Sequence, residues 1–287
     1  MPALSERGRR IRLVACDLDG TLLTSEKTLS PATLAVAREL RARNIHLTIA
    51  SGRIYTMLQV FSRALDIVVP LITSNGAIVI HPDTGETALD IRLDHGALGR
   101  MIDFAWQHEL DLSILAPELN LFTANSLRMR NFEKYNRDAA AADLPLMNLE
   151  RLAPGIDAVA ARARATQLAV SKLLVYQPSP ASLAALEAFV AAEPDLLFVA
   201  SGPELYEVLP AGISKGRALA ALTRHLGLEP DQVMAFGDFD NDLDMLEFAG
   251  FSVAMANSVP EVLAAADLVT ASNDEDGVAA ALRTYVL

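Results

Sequence analysis

The sequence predicts an α/β core with a parallel sheet, interrupted by an inserted α+β module. In the first third of the 287 residues, and again in the last third, short β-rich runs alternate with amphipathic helical patterns. Such alternation is typical of parallel strands joined by right-handed crossovers. Residues 83–208 lack it, so we expect a core made of residues 1–82 and 209–287, with a separate domain inserted between them.

The first core segment predicts strand 11–17, helix 30–44, strand 45–50, helix 54–65 and strand region 70–80. Ser30 can cap the first helix, and Pro31 suits its first helical position. The last core segment predicts helix 213–227, strand 232–238, helix 241–249, strand 251–256, helix 259–266, strand 268–270 and a terminal helix from about residue 275. Neither segment is long enough to form a complete sheet alone, which favours an insertion over three separate domains.

The middle of the chain mixes helices and strands without regular alternation. Its clearest elements are helices 95–108 and 180–191 and strands 111–116, 119–124, 171–176, 196–200 and 204–209. Only the SGP of 201–203 separates the last two strands, a spacing that favours an antiparallel pair.

Bulk properties exclude several classes of protein. An apolar fraction of 52% with 21% charged residues is typical of a globular chain with a sizeable core. No apolar run is long enough to span a bilayer, and the basic stretch 1–10 lacks the cleavage site of a secretory signal. The single cysteine, Cys16, fits a reducing compartment. A formal charge of −12 argues against a nucleic-acid partner. We therefore expect a cytoplasmic protein with no membrane or nucleic-acid partner.

Small or polar residues follow four predicted strands at their C-terminal ends. These stretches are DLDGT (17–21), SGR (51–53), SNGA (74–77) and GDFDND (237–242). In an open parallel sheet, ligands bind outside the carboxyl ends of the strands. We therefore expect the four stretches to converge on one crevice.

The acidic residues of this crevice predict a cation site. An isolated Asp-x-Asp at a strand end is usually a solvated turn, but Asp17 and Asp19 share their context with the second cluster, Asp238, Asp240 and Asp242. Carboxylates that converge without histidine or cysteine favour Mg²⁺.

The same crevice contains groups suited to a phosphate. Lys215 lies in GISKG between two glycines, and Ser51 with Gly52 offers a hydroxyl and a backbone N–H. Once a cation and a lysine neutralise the phosphate oxygens, a carboxylate can act as nucleophile. Asp17 can attack phosphorus and Asp19 can hold the proton for the leaving oxygen, which requires a higher pKa for Asp19 than for Asp17.

DLDGT, SGR, GISKG and GDFDND in this order resemble the haloacid dehalogenase (HAD) superfamily of phosphatases, and the insert between SGR and GISKG resembles the class IIB cap of the Cof-type subfamily. SNGA, VAMANS (253–258) and NDEDGVA (273–279) match as well. The resemblance implies a HAD-like Rossmannoid core with an α+β cap. It implies that Asp17 is the nucleophile and that Asp19 acts as general acid and then as base. Mg²⁺ would bind Asp17, the Asp19 carbonyl and Asp238, with support from Asp242. The phosphoryl group would bind Ser51, Lys215 and Asn241, and Thr21 would fix the loop.

For the substrate, the resemblance implies small phosphomonoesters such as sugar phosphates, pyridoxal phosphate or flavin mononucleotide. Contacts to its non-phosphate part are expected from Arg53 and Asn75 of the core, and from the cap residues Asn120, Asn125, Arg128 and Arg130. Arg53 can instead pair with a neighbouring carboxylate. Trp106 and Cys16 are expected to serve packing.

Other functions are compatible with parts of the pattern. A phosphomutase or phosphotransferase shares the core chemistry, and a non-catalytic regulator that binds phosphometabolites is an alternative from another class. A response-regulator receiver has no insert of this size. A nicotinamide-binding enzyme requires the G-x-G-x-x-G that is absent after the first strand.

Overall fold

A computed structural model describes residues 4–141, 143–202 and 204–287. The chain divides into two compact units. Unit 1 contains the N-terminal part up to Asp90 together with Ser214–Leu287, and unit 2 is Ile91–Ile213. These divisions fall later than the expected ones at 82/83 and 208/209. Residues 87–90 pair with a strand of unit 1, whereas the strand that ends at Pro210 belongs to the sheet of unit 2.

The strands of the described residues are β1 Leu13–Cys16, β2 His46–Ile49, β3 Leu71–Thr73, β4 Ile78–Ile80, β5 Thr87–Asp90, β6 Asp111–Leu115, β7 Asn120–Phe122, β8 Leu149–Arg151, β9 Lys172–Tyr176, β10 Leu196–Gly202, β11 Leu205–Pro210, β12 Val233–Gly237, β13 Phe251–Ala254 and β14 Leu268–Val269.

The α-helices of the same residues are α1 Leu4–Gly8, α2 Pro31–Ala42, α3 Tyr55–Ala64, α4 His95–Gln107, α5 Met129–Ala141, α6 Ala158–Ala165, α7 Pro180–Ala191, α8 Lys215–His225, α9 Leu243–Phe248, α10 Pro260–Ala265 and α11 Gly277–Tyr285. A short 3₁₀ turn, Asp240–Asp242, precedes α9. None of the helices described here combines the length and the apolar character needed to cross a bilayer.

The centre of unit 1 is a five-stranded parallel sheet in the order β14-β13-β12-β1-β2. All four residues of β1 are buried, and its side chains alternate between two apolar clusters. Val14 and Cys16 pack in one cluster, and Leu13 and Ala15 pack in the other. A strand buried on both faces is typical of parallel sheets covered by helices. The predicted parallel α/β core is therefore confirmed.

The strand region predicted at 70–80 is broken in the structure. β3 and β4 form an antiparallel pair in a separate three-stranded sheet with β5. The connection needs positive φ angles at Ser74 (51°), Asn75 (56°) and Gly76 (95°), which end the extended conformation of the chain. A Cβ at position 76 would lie 2.1 Å from the Ser214 carbonyl oxygen, so this turn lies directly against the residue that precedes α8.

Unit 2 contains a six-stranded sheet in the order β10-β11-β9-β6-β7-β8. Its strands pair antiparallel, except for β7 with β8. Apolar residues of α4, α6 and α7, including Ile102, Ala161 and Leu186, pack with the sheet in a core of its own. The predicted α+β insert is confirmed, and so is the β10–β11 pair. Residue 203 of the predicted SGP connection lies outside the described residues.

Candidate active site

Three of the four predicted stretches follow adjacent parallel strands. DLDGT follows β1, SGR follows β2 after Ala50, and GDFDND begins at the end of β12, which is the other neighbour of β1. The carboxyl ends of adjacent parallel strands lie at one edge of a sheet, where open α/β folds bind their ligands. The strand order therefore brings these loops together.

Lys215 lies between two carboxylates. Its Nζ is 2.6 Å from Asp17 Oδ1 and 2.6 Å from Asp242 Oδ1, and the lysine is only 2% exposed. Ser214 holds this end of α8, because its side chain accepts a hydrogen bond from the Arg217 N–H at 3.1 Å. Two buried carboxylates around one ammonium leave a net negative charge, which favours a further cation in their neighbourhood.

Burial and charge act in opposite directions on the pKa values of these groups. Burial alone would lower the pKa of Lys215, but Asp17 and Asp242 together raise it above its ordinary value, so the lysine stays charged. Burial raises the pKa of Asp17, and Lys215 offsets only part of that shift. Burial also raises the pKa of Asp238 to about 6, although a hydrogen bond from Thr21 opposes the shift.

Asp17, Asp238 and Asp242 could together hold a metal ion, since one oxygen of each lies within 4.8 Å of the others. The three residues differ in how many of their carboxylate oxygens already accept hydrogen bonds. Asp242 is fully buried, and its Oδ2 accepts the backbone N–H groups of Asp238 and Phe239 at 3.0 and 3.1 Å. Because Asp242 Oδ1 accepts Lys215, both of its oxygens are occupied. Asp17 and Asp238 could therefore offer a metal ion an oxygen more readily than Asp242, whose oxygens hold the loop and the lysine.

The turn at Gly20 brings the DLDGT backbone close to Asp238. Gly20 has a φ of 94°, and a Cβ there would lie 2.3 Å from Asp238 Oδ2. Thr21 Oγ1 donates to Asp238 Oδ1 at 2.7 Å, as expected of a residue that fixes this loop. Asn257 Nδ2 donates to the Gly20 carbonyl at 2.8 Å, a contact that sequence reasoning missed although Asn257 lies in the VAMANS stretch.

The carboxylate of Asp19 is held by two cationic side chains. Arg53 donates from Nε and Nη2 to its two carboxylate oxygens at 2.7 Å each, and Lys27 Nζ lies 3.0 Å from Oδ1. Burial raises the pKa of Asp19, but the hydrogen bonds and charges of Arg53 and Lys27 outweigh it and hold that pKa below its ordinary value. Without a cation on Asp17, the pKa of Asp19 is lowered and that of Asp17 is raised. The expected order, with the pKa of Asp19 above that of a metal-bound Asp17, stays a prediction. The contact of Lys27 with Asp19 was not predicted, because Lys27 lies in none of the motifs found in the sequence.

Ser51, Arg53, Asn75 and Asn241 form one connected group. The Arg53 N–H donates to Ser51 Oγ at 3.2 Å, and the Asn75 N–H donates to the Ser51 carbonyl at 3.1 Å. Asn241 Nδ2 donates to Asn75 Oδ1 at 3.1 Å, which joins the SNGA turn to the GDFDND loop. A Cβ at Gly52 would lie 3.0 Å from Asn75 Oδ1, so the predicted phosphate-binding residues lie side by side.

The expected substrate contacts in unit 2 differ in exposure. Asn120 is buried and its Nδ2 donates to the Asn148 carbonyl at 3.2 Å, Arg128 is half-buried, and Asn125 and Arg130 are exposed.

Two other residues have packing environments, as expected. Trp106 Nε1 donates to the Ile156 carbonyl at 3.0 Å, and its side chain packs against the apolar core of unit 2. Cys16 is fully buried, and burial raises the pKa of its thiol.

Known proteins place this chain in a family. A model of the haloacid dehalogenase-like hydrolases matches residues 14–282, and the chain belongs to that family. The resemblance to Cof-type phosphatases is confirmed, and so is the enzyme class, a phosphoric monoester hydrolase.

Individual relatives cover nearly the whole chain. It is 29% identical to a 5-amino-6-(5-phospho-D-ribitylamino)uracil phosphatase of Bacillus subtilis, over 95% of this chain and 97% of the relative. It is 34% identical to an HMP-PP phosphatase of Serratia proteamaculans, over 88% of this chain and 86% of the relative. A crystal structure of a haloacid dehalogenase-like hydrolase from Bacteroides thetaiotaomicron superposes with a TM-score of 0.80 at 26% identity, covering 96% and 99% of the two chains.

Proposed function

We propose that this chain hydrolyses small phosphomonoesters with Mg²⁺ through an aspartyl-phosphate formed on Asp17. The observation that carries the proposal is the position of Asp17, buried at the end of β1 and 2.6 Å from a lysine whose other contact is Asp242. A carboxylate held in this way has one fixed orientation at the edge of the sheet where ligands bind.

The residues present suit a magnesium ion. The donors are oxygen atoms only, the set that Mg²⁺ prefers. Asp17, Asp238 and the backbone carbonyl of Asp19 would hold the ion, and the absence of a Cβ at Gly20 lets that backbone approach Asp238. When bound, the ion would neutralise phosphate oxygens and so allow an anion to approach phosphorus.

In the proposed reaction, an Asp17 carboxylate oxygen bonds to phosphorus while the bond from phosphorus to the leaving oxygen breaks. Asp19 gives its proton to that oxygen, and then takes a proton from the water that attacks the phosphorus of the aspartyl-phosphate. This second step releases phosphate and restores Asp17. Lys215, Ser51, the Gly52 N–H and Asn241 would hold the phosphoryl oxygens.

Asp19 can act as a proton donor only if its cations give way. Arg53 and Lys27 contact its carboxylate oxygens in the structure. We propose that a bound phosphomonoester draws Arg53 away from Asp19, which agrees with the expected contact between Arg53 and substrate. The two interpretations of Arg53 then describe two states of one side chain.

The proposed substrates are small phosphorylated metabolites. Relatives named for a phosphoribitylamino-uracil and for HMP-PP support an organic phosphate of modest size, without selecting one compound. We propose that unit 2 acts as a cap domain whose side chains select the non-phosphate part of the substrate. The proposed compartment is the cytoplasm, in agreement with the single buried Cys16.

Phosphate release from a panel of phosphomonoesters tests this function. The wild-type chain with Mg²⁺ should release phosphate, and EDTA or Asp17→Asn should abolish the release. Asp240→Asn is the matched control, because Asp240 is an exposed aspartate of the same loop as Asp238.

Two results would overturn the proposal. Transfer of the phosphoryl group to a second position of the substrate without free phosphate would indicate a phosphomutase. Binding of phosphometabolites by folded, Mg²⁺-loaded protein without turnover would indicate a regulator.

A further inference from the structure

The segment that carries Asp242 also contacts the backbone next to Lys215. Asp244, in the first turn of α9, accepts a hydrogen bond at Oδ2 from the Gly216 N–H at 3.0 Å. Asp242 Oδ1 accepts Lys215 Nζ at 2.6 Å. Two aspartates that lie two positions apart in the sequence therefore hold the lysine at both ends. One contacts its ammonium group, and the other contacts the peptide bond that follows its Cα.

The glycine at position 216 lets α8 and α9 approach each other closely. A Cβ there would lie 2.4 Å from the Asp244 carbonyl oxygen and 2.8 Å from Asp244 Cγ, so any other residue would displace Asp244. Glycine is unfavourable within a helix, and the close approach explains its presence at the second position of α8. The backbone next to Lys215 is thus packed directly against Asp244.

The first turn of α8 has two further contacts. Ser214 Oγ accepts the Arg217 N–H at 3.1 Å, and a Cβ at Gly76 would lie 2.1 Å from the Ser214 carbonyl oxygen and 3.1 Å from the Lys215 backbone nitrogen. Of these contacts, the one from Asp244 links the lysine to the loop that carries Asp238 and Asp242.

The position of this backbone decides where the lysine ammonium lies. A lysine side chain is long and has many rotamers, so its charge is well placed only when both of its ends are held. Asp17 and Asp242 hold the ammonium group, and the start of α8 holds the Cα. A displacement of about 1 Å in a group that contacts the reacting atoms can cost about a hundredfold in rate.

We propose that Asp244 is a positioning residue for the reaction. Its hydrogen bond to the Gly216 N–H fixes the start of α8 relative to Asp242, and so keeps the Lys215 ammonium where it meets the phosphoryl oxygens. This inference rests on the phosphatase function proposed above. It adds to that function a residue that contacts neither the substrate nor the metal site.

Asp244→Ala and Asp244→Asn, assayed on one phosphomonoester with Mg²⁺, test the inference. Alanine removes the acceptor, and we expect kcat to fall about tenfold, with KM changed by less than about twofold because the other phosphate-binding groups are intact. Asparagine keeps an oxygen that can accept the same N–H, so its kcat should stay within about twofold of wild type. Urea unfolding establishes that each variant is folded under the assay conditions.

Asp157→Ala is the matched control for a merely structural role. Asp157 caps α6 of unit 2 and accepts the Ala160 N–H at 2.8 Å, so alanine removes a comparable hydrogen bond at the start of a helix. This variant should lower the urea midpoint, as Asp244→Ala does, but should leave kcat unchanged.

Gly216→Ala provides a second variant. Its Cβ must displace Asp244, so we expect a fall in kcat similar to that of Asp244→Ala. Helix propensity alone predicts the opposite, a more stable α8. A more stable Gly216→Ala variant with the kcat of the wild type would overturn the inference.

Two other results would also overturn it. One is a wild-type kcat in Asp244→Ala, and the other is an equal loss in the alanine and asparagine variants, which would assign the effect to the charge of Asp244. In both cases phosphate release by the wild type would leave the proposed phosphatase function intact. No release by folded wild type would overturn both.

Discussion

Replacing Lys215 by methionine tests the electrostatics of the site. Lys215 is the ammonium between Asp17 and Asp242, with Nζ–oxygen distances of 2.6 Å to each. Methionine has a similar length but leaves two buried carboxylates without their cation. Removing one partner of a buried ion pair costs about 3–5 kcal/mol. This is a large part of the free energy of unfolding of an ordinary domain, which is about 5–15 kcal/mol.

The loss should have a distinctive pH dependence. In the variant, the Asp17 carboxylate without its lysine has a higher pKa in the folded chain than in the unfolded chain, because burial raises that pKa and Lys215 no longer opposes the shift. The folded chain therefore binds more protons, and its stability relative to wild type rises as the pH falls. Adding Asp17→Asn to Lys215→Met removes one of the two charges and should recover about 1–2 kcal/mol.

Urea unfolding in EDTA measures these differences. Far-UV circular dichroism follows the whole chain, while fluorescence of Trp106, the sole tryptophan, follows unit 2. Lys134→Met is the matched control, since Lys134 pairs with Asp138 on an exposed helix surface, and it should change the unfolding free energy by less than about 0.5 kcal/mol. A loss of under about 1 kcal/mol for Lys215→Met, or no recovery in the double variant, would refute the reasoning.

Three further changes have defined outcomes. Gly20→Ala places a Cβ 2.3 Å from Asp238 Oδ2 and should weaken Mg²⁺ binding about tenfold by calorimetry; unchanged affinity would contradict the fit. Arg53→Met should lower kcat/KM about a hundredfold with little change in stability, because the Asp19 carboxylate it pairs with is about one-third exposed; wild-type kinetics would argue against its role. Arg7→Met removes a bond to the Gly250 carbonyl and an ion pair, and should cost about 1–3 kcal/mol in urea unfolding; an unchanged midpoint would exclude that contribution.

The sequence was most informative where function depends on local position. Asp17, Ser51 and Asp238 each follow or end a strand, and the strand order β12-β1-β2 then places them at one edge. The alternation of apolar runs and amphipathic patterns was enough to predict the succession of strands and helices along the chain. Glycines and polar residues do not contribute to the packing of a buried sheet, so their presence at these strand ends indicated a binding site.

Features that depend on side-chain orientation were not predictable. Arg53 had two possible partners, and only the structure places its guanidinium on Asp19. Which side chains of the unit 2 sheet face its helices was not predictable, because the alternation along a strand does not say which of its two faces is covered. SNGA was assigned to a continuous strand region, because the apolar runs on both sides of it were given more weight than Asn75-Gly76, a pair that favours a left-handed turn.

The most direct test of the account is a search for phosphate on Asp17. Wild-type chain mixed with radiolabelled phosphomonoester and Mg²⁺ and quenched in acid should carry label on the peptide that contains Asp17. The label should disappear on chasing with unlabelled substrate, and Asp17→Asn should acquire none. Continued phosphate release without labelled Asp17 at any quench time, or equal release by Asp17→Asn, would contradict the account.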